Sequence, residues 1–322
     1  MNEVAETTRR RVLYPSFFIV GAGRSGTTLM RAIVTGHPDL VVSPETGFVP
    51  TLLRMRRLWW TGGHVRNRLF VRLAFANGRL RRAGATPQQL VNSLIEEPAV
   101  SPVDAISRIY ETFVAKPTQA RVGDKTPGYA MDVALLSKAF PQAKFIHAIR
   151  HPLDVVASML QQPWAPDDPL AAGALWLHNV RACRALTIAS DRMLVVRLED
   201  LINDPKREVD RISGHLGVLT HENMLRFNDR AGVISQQNVH PSAHSGLHRR
   251  LAQTRRWQAD LTDSDAAAVW SLVRGTAGLY GYEGPPTTRA PVSETAARIR
   301  LAWFRLSRSW RRARSLMRLL RP

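Results

Sequence analysis

Apolar residues in this chain gather into short runs of strand length, separated by longer stretches in which they recur at helical spacing. The runs are centred on Ser16 to Val20, Leu40 to Val42, Ala120 to Gly123, Lys144 to Ile149 and Met193 to Arg197. Helical segments follow most of them. Thr27 to Thr35 comes after the first, and after the fourth Pro152 opens a segment whose Leu153, Val156 and Leu160 share one face. Strands alternating with helices predict an α/β fold, a doubly wound, mainly parallel sheet flanked by helices. Arg54 to Lys116 is largely helical in pattern and marks an insertion over about residues 48–117, in which Gly62 and Gly63 separate a second helical run, His64 to Leu80. Asp229 to Leu251 has little periodicity and reads as a loop. The Pro-rich string Tyr282 to Ser293 reads as a linker. Beyond it, Ile299, Trp303, Leu306, Trp310, Ala313, Met317 and Leu320 recur at alternating spacings of four and three, one apolar face of a C-terminal helix. The expected organisation is a flexible N-terminus (1–14), a body (15–282) and a linker with tail helix (283–322), with no internal repeat.

The first strand runs into GAGRSGTTLM, and this junction carries the most specific chemistry. Glycines let backbone N–H groups close on an anion, and the positive end of the following helix favours negative charge. Gly21 to Thr28 has the length of a nucleotide-triphosphate P-loop, with glycine at both required positions and Thr28 where a hydroxyl would meet magnesium. Thr27, however, stands where such loops carry lysine, and the positive charge sits earlier, at Arg24. The expected sheet is therefore P-loop-type, but the loop is not built for a γ-phosphate.

A second motif is KFIHAIRHPLDVVASML, Lys144 to Leu160. Arg150 falls at the carboxyl end of a strand, where open parallel sheets bind ligands, and Ser158 lies about two turns into the next helix. An arginine fork with a serine hydroxyl suits a phosphate. Taken singly, a salt-bridged arginine and a serine bonded to its own helix backbone are the plainer readings.

RSGTTLMRAIVTGHPD resembles the 5′-phosphosulfate-binding loop of sulfotransferases that use 3′-phosphoadenosine 5′-phosphosulfate (PAPS). It is most similar to the branch containing tyrosylprotein sulfotransferases and many bacterial sulfotransferases. Arg150, Pro152 and Ser158 match that family's 3′-phosphate element, R-x-P-x(5)-S. Met193 to Val218 resembles the family's RYEDL…P…L…LGL segment, with Leu198 in place of the usual Tyr, and Arg256 to Tyr282 resembles its terminal W…L…GY segment. The resemblance implies that Arg24 and the N–H groups of Ser25, Gly26, Thr27 and Thr28 hold the 5′-phosphosulfate, while Arg150 and Ser158 hold the 3′-phosphate. The Asp229 to Leu251 loop, rich in His, Ser and Asn, reads as one able to close over such a nucleotide.

For the acid–base work Glu45, in SPETGF, is the candidate. It follows a short strand at the sheet edge of the first loop and matches the base of the tyrosylprotein branch; its alternative is to cap the helix beginning near Phe48. Lys125, in GDKTP, matches the lysine that relatives place at the transferring sulfate; alternatively it pairs with Asp124 or a neighbour. His37 and His151, beside the two binding motifs, read as structural. Arginine and lysine suffice for the charge stabilisation, and no metal-ligand set is legible, so no metal is expected.

Composition adds a localised charge. The 322 residues carry a formal +19, and eighteen of those charges are arginines in two stretches free of Asp and Glu, nine between Thr46 and Ile95 and nine between Thr295 and Pro322. A basic amphipathic helix containing tryptophan suits an anionic membrane surface; otherwise its apolar face packs on the protein. The resemblance implies that the earlier basic stretch, following the first loop, is an acceptor-side lid or interface; the residues alone equally suit a solvated basic face. Arginine-rich surfaces also suit nucleic acid, but no helix-turn-helix, zinc spacing or aromatic recognition motif accompanies them, so no specific nucleic-acid partner is expected. The single cysteine, Cys183, argues for a reducing compartment, and residues before Tyr14 do not read as a signal peptide. The expectation is a cytoplasmic protein, peripheral on the inner face of a membrane. Heavy Arg and Ala usage suggests a bacterial, GC-rich source. The leading function is sulfuryl transfer from PAPS to the hydroxyl of a lipid, glycolipid or other envelope-associated acceptor. A P-loop kinase and a non-catalytic, membrane-associated nucleotide-binding protein are the alternatives.

Overall fold

Phe17 and Ile19 turn to one side of the first strand and Phe18 and Val20 to the other, and all four are buried. A strand buried on both faces needs helices on both. The computed structural model, which describes residues 15–114, 121–227, 256–286, 292–304 and 306, meets that need. Strand β1 (Phe17–Val20) leads through α1 (Thr27–Val34) to β2 (Leu40–Ser43). Helices α2 (Val49–Arg54) and α3 (Arg56–Trp59) precede a hairpin of β3 (Trp60–Thr61) and β4 (His64–Val65). Then come α4 (Asn67–Phe75), α5 (Arg79–Arg82), α6 (Pro87–Glu96) and α7 (Pro102–Phe113). Strand β5 (Arg121–Lys125), a 3₁₀ turn (Pro127–Asp132), α8 (Val133–Ala139) and β6 (Lys144–Ile149) follow. After them are α9 (Pro152–Leu160), α10 (Pro169–Ala189), β7 (Met193–Arg197), α11 (Leu198–Asn203) and α12 (Pro205–Leu216). Helices α13 (Glu222–Leu225), α14 (Trp257–Asp260) and α15 (Asp263–Ala277) close the body, and a tail helix spans 294–304.

The main sheet has the order β2-β5-β1-β6-β7, and every pairing in it is parallel. From β1 the chain crosses outward to β2 and back to β5, then passes to the opposite side for β6 and β7. That reversal opens a crevice at the carboxyl end of β1, where ligands of such sheets bind. One layer, with α1 and α12, buries Phe17, Ile19, Ile146 and Val196; the other buries Phe18, Val20 and Phe145 beneath α8 and α10. Four helices start on the same local device, a capping side chain followed by proline: Thr86–Pro87, Ser101–Pro102, Asp168–Pro169 and Asp204–Pro205. Cys183 is buried, and that burial pushes its thiol up, away from reactive thiolate.

Two expectations need correction. Lys125 closes β5 instead of following it, because the strand continues past Gly123 alongside β1. The run from His64 to Leu80 is not one helix. Gly62 and Gly63 both adopt positive φ, 57° and 80°, and so form a tight hairpin turn that draws His64 and Val65 into pairing with Trp60 and Thr61. Buried Trp59 anchors this hairpin and donates from Nε1 to the Leu52 carbonyl at 2.9 Å. The N-terminus 1–14, the Asp229 to Leu251 loop and the tail positions from Trp310 onward lie outside the described residues.

Candidate active site

Gly21 passes so close to the carbonyl of Ala148 that a side chain there would collide with it, which seats the loop between β1 and β6. Helix α1 starts at Gly26 (φ 90°) with no side-chain cap, and its first turn faces the loop at the positive end of the helix. Ser25 is buried and its Oγ has no hydrogen-bond partner among the described residues. Arg24 has φ 72°, and no other non-glycine among the described residues has positive φ. That left-handed conformation costs about 1–2 kcal/mol. It sends the guanidinium across to α9, where Nε donates to Ser158 Oγ at 2.9 Å. Ser158 thus serves the loop arginine, which the helix-interior reading did not foresee. Trp164 covers the loop from outside: a Cβ on Gly23 would lie 2.6 Å from its ring. Leu198 fills the opposite flank, 2.9 Å from where a Cβ of Gly26 would be. In place of a tyrosine's polar contact, this chain offers an apolar wall.

Arg150 stands just beyond β6, its carbonyl held by Trp176 Nε1 at 3.2 Å and its guanidinium 3.8 Å from Asp154. Asp154 in turn accepts the Trp257 N–H at 3.0 Å, which ties the C-terminal part of the body to this strand end. His151 is structural, as expected. Its ring lies parallel to those of Trp257 and Trp270, its backbone N–H donates to Glu199 at 2.9 Å, and Glu199 also accepts from the Tyr282 hydroxyl at 2.9 Å. Sequence reasoning missed Asp154 and Glu199. Their signals were present: Asp154 is four residues after Arg150, and Glu199 is the acidic turn after β7.

Glu45 does not cap α2, whose N-cap is Phe48. It forms a 2.7 Å ion pair with Lys125 Nζ. Lys125 is fully buried, while Glu45 remains partly open to solvent. Burial pulls the Lys125 pKa down, and the Glu45 charge opposes that shift. A second cation beside this pair, Arg31 of α1, donates from Nε to the Val42 carbonyl at 3.3 Å. Burial lowers its pKa to about 10 against the charges of Glu45 and Asp124.

Asp124 organises the layer beneath. Fully buried, it accepts from Tyr110 Oη at 2.6 Å and from the Thr46 and Thr126 hydroxyls at 2.7 Å each. Burial raises its pKa, and the hydroxyls pull it back by stabilising the carboxylate. Thr46 is the residue after Glu45, and Asn77 Nδ2 also holds its carbonyl at 2.8 Å. The carboxylate of Glu45 therefore projects from a backbone pinned at the next residue. Arg31 and Asp124 were not singled out from the sequence, because nothing in a helix face or a strand end distinguishes a paired buried charge.

The arrangement offers an anion cradle with an unpartnered buried hydroxyl, two arginines on adjoining elements, and a carboxylate beside a buried lysine. Backbone N–H groups, a buried hydroxyl and arginine guanidiniums are a donor set suited to phosphate.

A sequence profile of the sulfotransferase family matches residues 15–222. Among named proteins, the chain is 27% identical to protein-tyrosine sulfotransferase 1 of Danio rerio over 71% of its own length and 61% of that protein's. It is 26% identical to the nodulation protein NoeE of Sinorhizobium fredii over 80% of its own length and 63% of that protein's. These matches thus span about six-tenths of those relatives. Among solved structures, a sulfotransferase domain from the curacin biosynthetic pathway superposes with a TM-score of 0.59 at 19% identity, over 85% of this chain and all of that one. A sulfotransferase domain of the Synechococcus PCC 7002 olefin synthase gives 0.54 at 24% identity, over 86% of this chain and 98% of that one.

Proposed function

Because the chain belongs to the sulfotransferase family, we propose that it transfers the sulfuryl group of PAPS to an acceptor hydroxyl, with Glu45 as base and without a metal. The observation that carries this reading is the joining of two anion-holding elements by the Arg24–Ser158 hydrogen bond, at the sheet edge where the Glu45–Lys125 pair lies. When bound, PAPS supplies an activated sulfuryl group whose bridging S–O bond breaks to leave adenosine 3′,5′-bisphosphate.

The chain's own residues do the rest. The N–H groups opening α1 and the Arg24 guanidinium hold the 5′ end, and Arg150 with Ser158 holds the 3′-phosphate. Glu45 takes the proton of the acceptor O–H as the acceptor oxygen forms its bond to sulfur. Once protonated, Glu45 no longer neutralises Lys125, whose charge then serves the oxygen that departs with the bisphosphate. Positioning and fixed charge supply most of the catalysis, as in phosphoryl transfer. The acceptor is a hydroxyl of a lipid, glycolipid or other envelope-associated molecule, reached by a cytoplasmic protein on the inner face of a membrane.

The test is calorimetric titration with adenosine 3′,5′-bisphosphate, ADP and ATP. Tight binding of the bisphosphate with ADP much weaker is expected. Preference for ATP would turn the assignment to a kinase, against which Thr27 in place of the P-loop lysine already argues.

A further inference from the structure

Tail helix 294–304 carries two apolar stripes, and the protein uses only one. Ala297 and Leu301 are buried, and Phe304 is partly buried, against the cluster formed by α10 and α15. On the other side Ile299, Trp303 and Leu306 stand open to solvent, at 56%, 72% and 55% exposure. The two stripes differ by two residues, about 200° around a helix. The periodicity had picked out the outward stripe, so the face expected to pack, had the tail packed on the protein, is the one left bare. The inward side is firmly attached: Arg300 pairs with Asp168, Arg181 with Glu294 at 2.6 Å, and Val292 N–H reaches Ser271 Oγ at 3.1 Å.

These ion pairs also set the direction of the helix. Helix α10 descends from Asp168 toward the start of β7, so its N-terminus lies at the carboxyl edge of the sheet. Glu294 meets Arg181 and the later Arg300 meets Asp168, so the tail helix climbs antiparallel to α10, toward that edge. The same edge holds the Glu45–Lys125 pair and the anion loop.

We propose that this outward stripe docks on an anionic lipid surface, with the helix axis lying along the bilayer and its C-terminal end directed toward the carboxyl edge of the sheet. Docking does not depend on the sulfuryl-transfer reading. Charge selects the occupant: residues 295–322 contain nine arginines and no acidic residue. A second copy of the chain would bring a second set of the same nine arginines. Tryptophan among aliphatic residues, flanked by arginine, is the composition of an interfacial helix.

The experiment is co-sedimentation of the full chain with vesicles of equal parts phosphatidylglycerol and phosphatidylcholine, and with phosphatidylcholine alone. The native protein should sediment with the anionic vesicles only. The triple variant Ile299→Ser, Trp303→Ser, Leu306→Ser changes no inward residue. It should keep its bisphosphate affinity and circular dichroism while losing about tenfold or more in vesicle affinity. Equal sedimentation of native and variant protein, or none with anionic vesicles, overturns the proposal. A native dimer that the triple variant converts to monomer overturns it in favour of self-association.

Discussion

Arg24 and Ser158 lie 134 residues apart, yet the Arg24 Nε donates to Ser158 Oγ at 2.9 Å. The loop after β1 and the helix after β6 are thereby joined beside the point at which the strand order reverses. Arg24 holds a left-handed backbone conformation to reach this position. The two residues should therefore act on nucleotide affinity as a coupled pair. A double-mutant cycle of Arg24→Ala and Ser158→Ala, read by bisphosphate calorimetry, should give a coupling of about 0.5–3 kcal/mol. Additive losses would mean that the two contact the ligand independently.

Arg150→Ala should weaken the bisphosphate by about 1.5–3 kcal/mol, the scale of a charged hydrogen bond. Adenosine 5′-phosphate, which lacks the 3′-phosphate, should lose little. Equal losses for both ligands would place Arg150 away from the 3′ end.

Glu45→Gln keeps the shape of the side chain and removes the base. Against any acceptor recovered from a screen with labelled PAPS, turnover should fall about a hundred- to ten-thousand-fold. Bisphosphate affinity should stay close to native. Retained turnover would assign the proton to another group.

Tyr110→Phe withdraws one of the three hydroxyls that hold buried Asp124. A hydrogen bond to a charged group contributes about 1.5–3 kcal/mol, and urea unfolding should show a loss of that order. No loss would mean that Asp124 is protonated in the folded protein.

His147 lies in the middle of β6, fully buried, with neither ring nitrogen hydrogen-bonded among the described residues. Burial lowers its pKa from 6.5 to about 4. Folding therefore favours the neutral ring. Above pH 6.5 both states are neutral and there is no penalty. As pH falls from 6.5 toward 4 the unfolded chain takes up a proton that the folded protein refuses, and stability drops by about 3 kcal/mol. His147→Leu should remove that component, so urea midpoints of native protein and variant should diverge across this window. Parallel curves would contradict it.

The P-loop-type parallel sheet was legible because each strand is a short apolar run followed by a helix signal, and such patterns are local. The loop from Gly21 to Thr28 and the R-x-P-x(5)-S element were legible for the same reason: their glycines, arginines and hydroxyls stand at fixed short spacings. The hairpin at Gly62 and Gly63 was missed, because two adjacent glycines signal a break before they signal its sign of φ.

What the sequence by itself determined is therefore the order of strands and helices, the spacing of the Gly21–Thr28 and Arg150–Ser158 motifs, and the confinement of charge to two stretches. Tertiary structure alone decided which of these meet. Lys125 took Glu45 as its partner over adjacent Asp124, because Asp124 spends its oxygens on Tyr110, Thr46 and Thr126. Likewise the tail helix buried Ala297 and Leu301 and left Trp303 outside. Both outcomes depend on groups distant in the chain competing for one buried partner or surface, and a periodicity read along the chain carries no term for that competition.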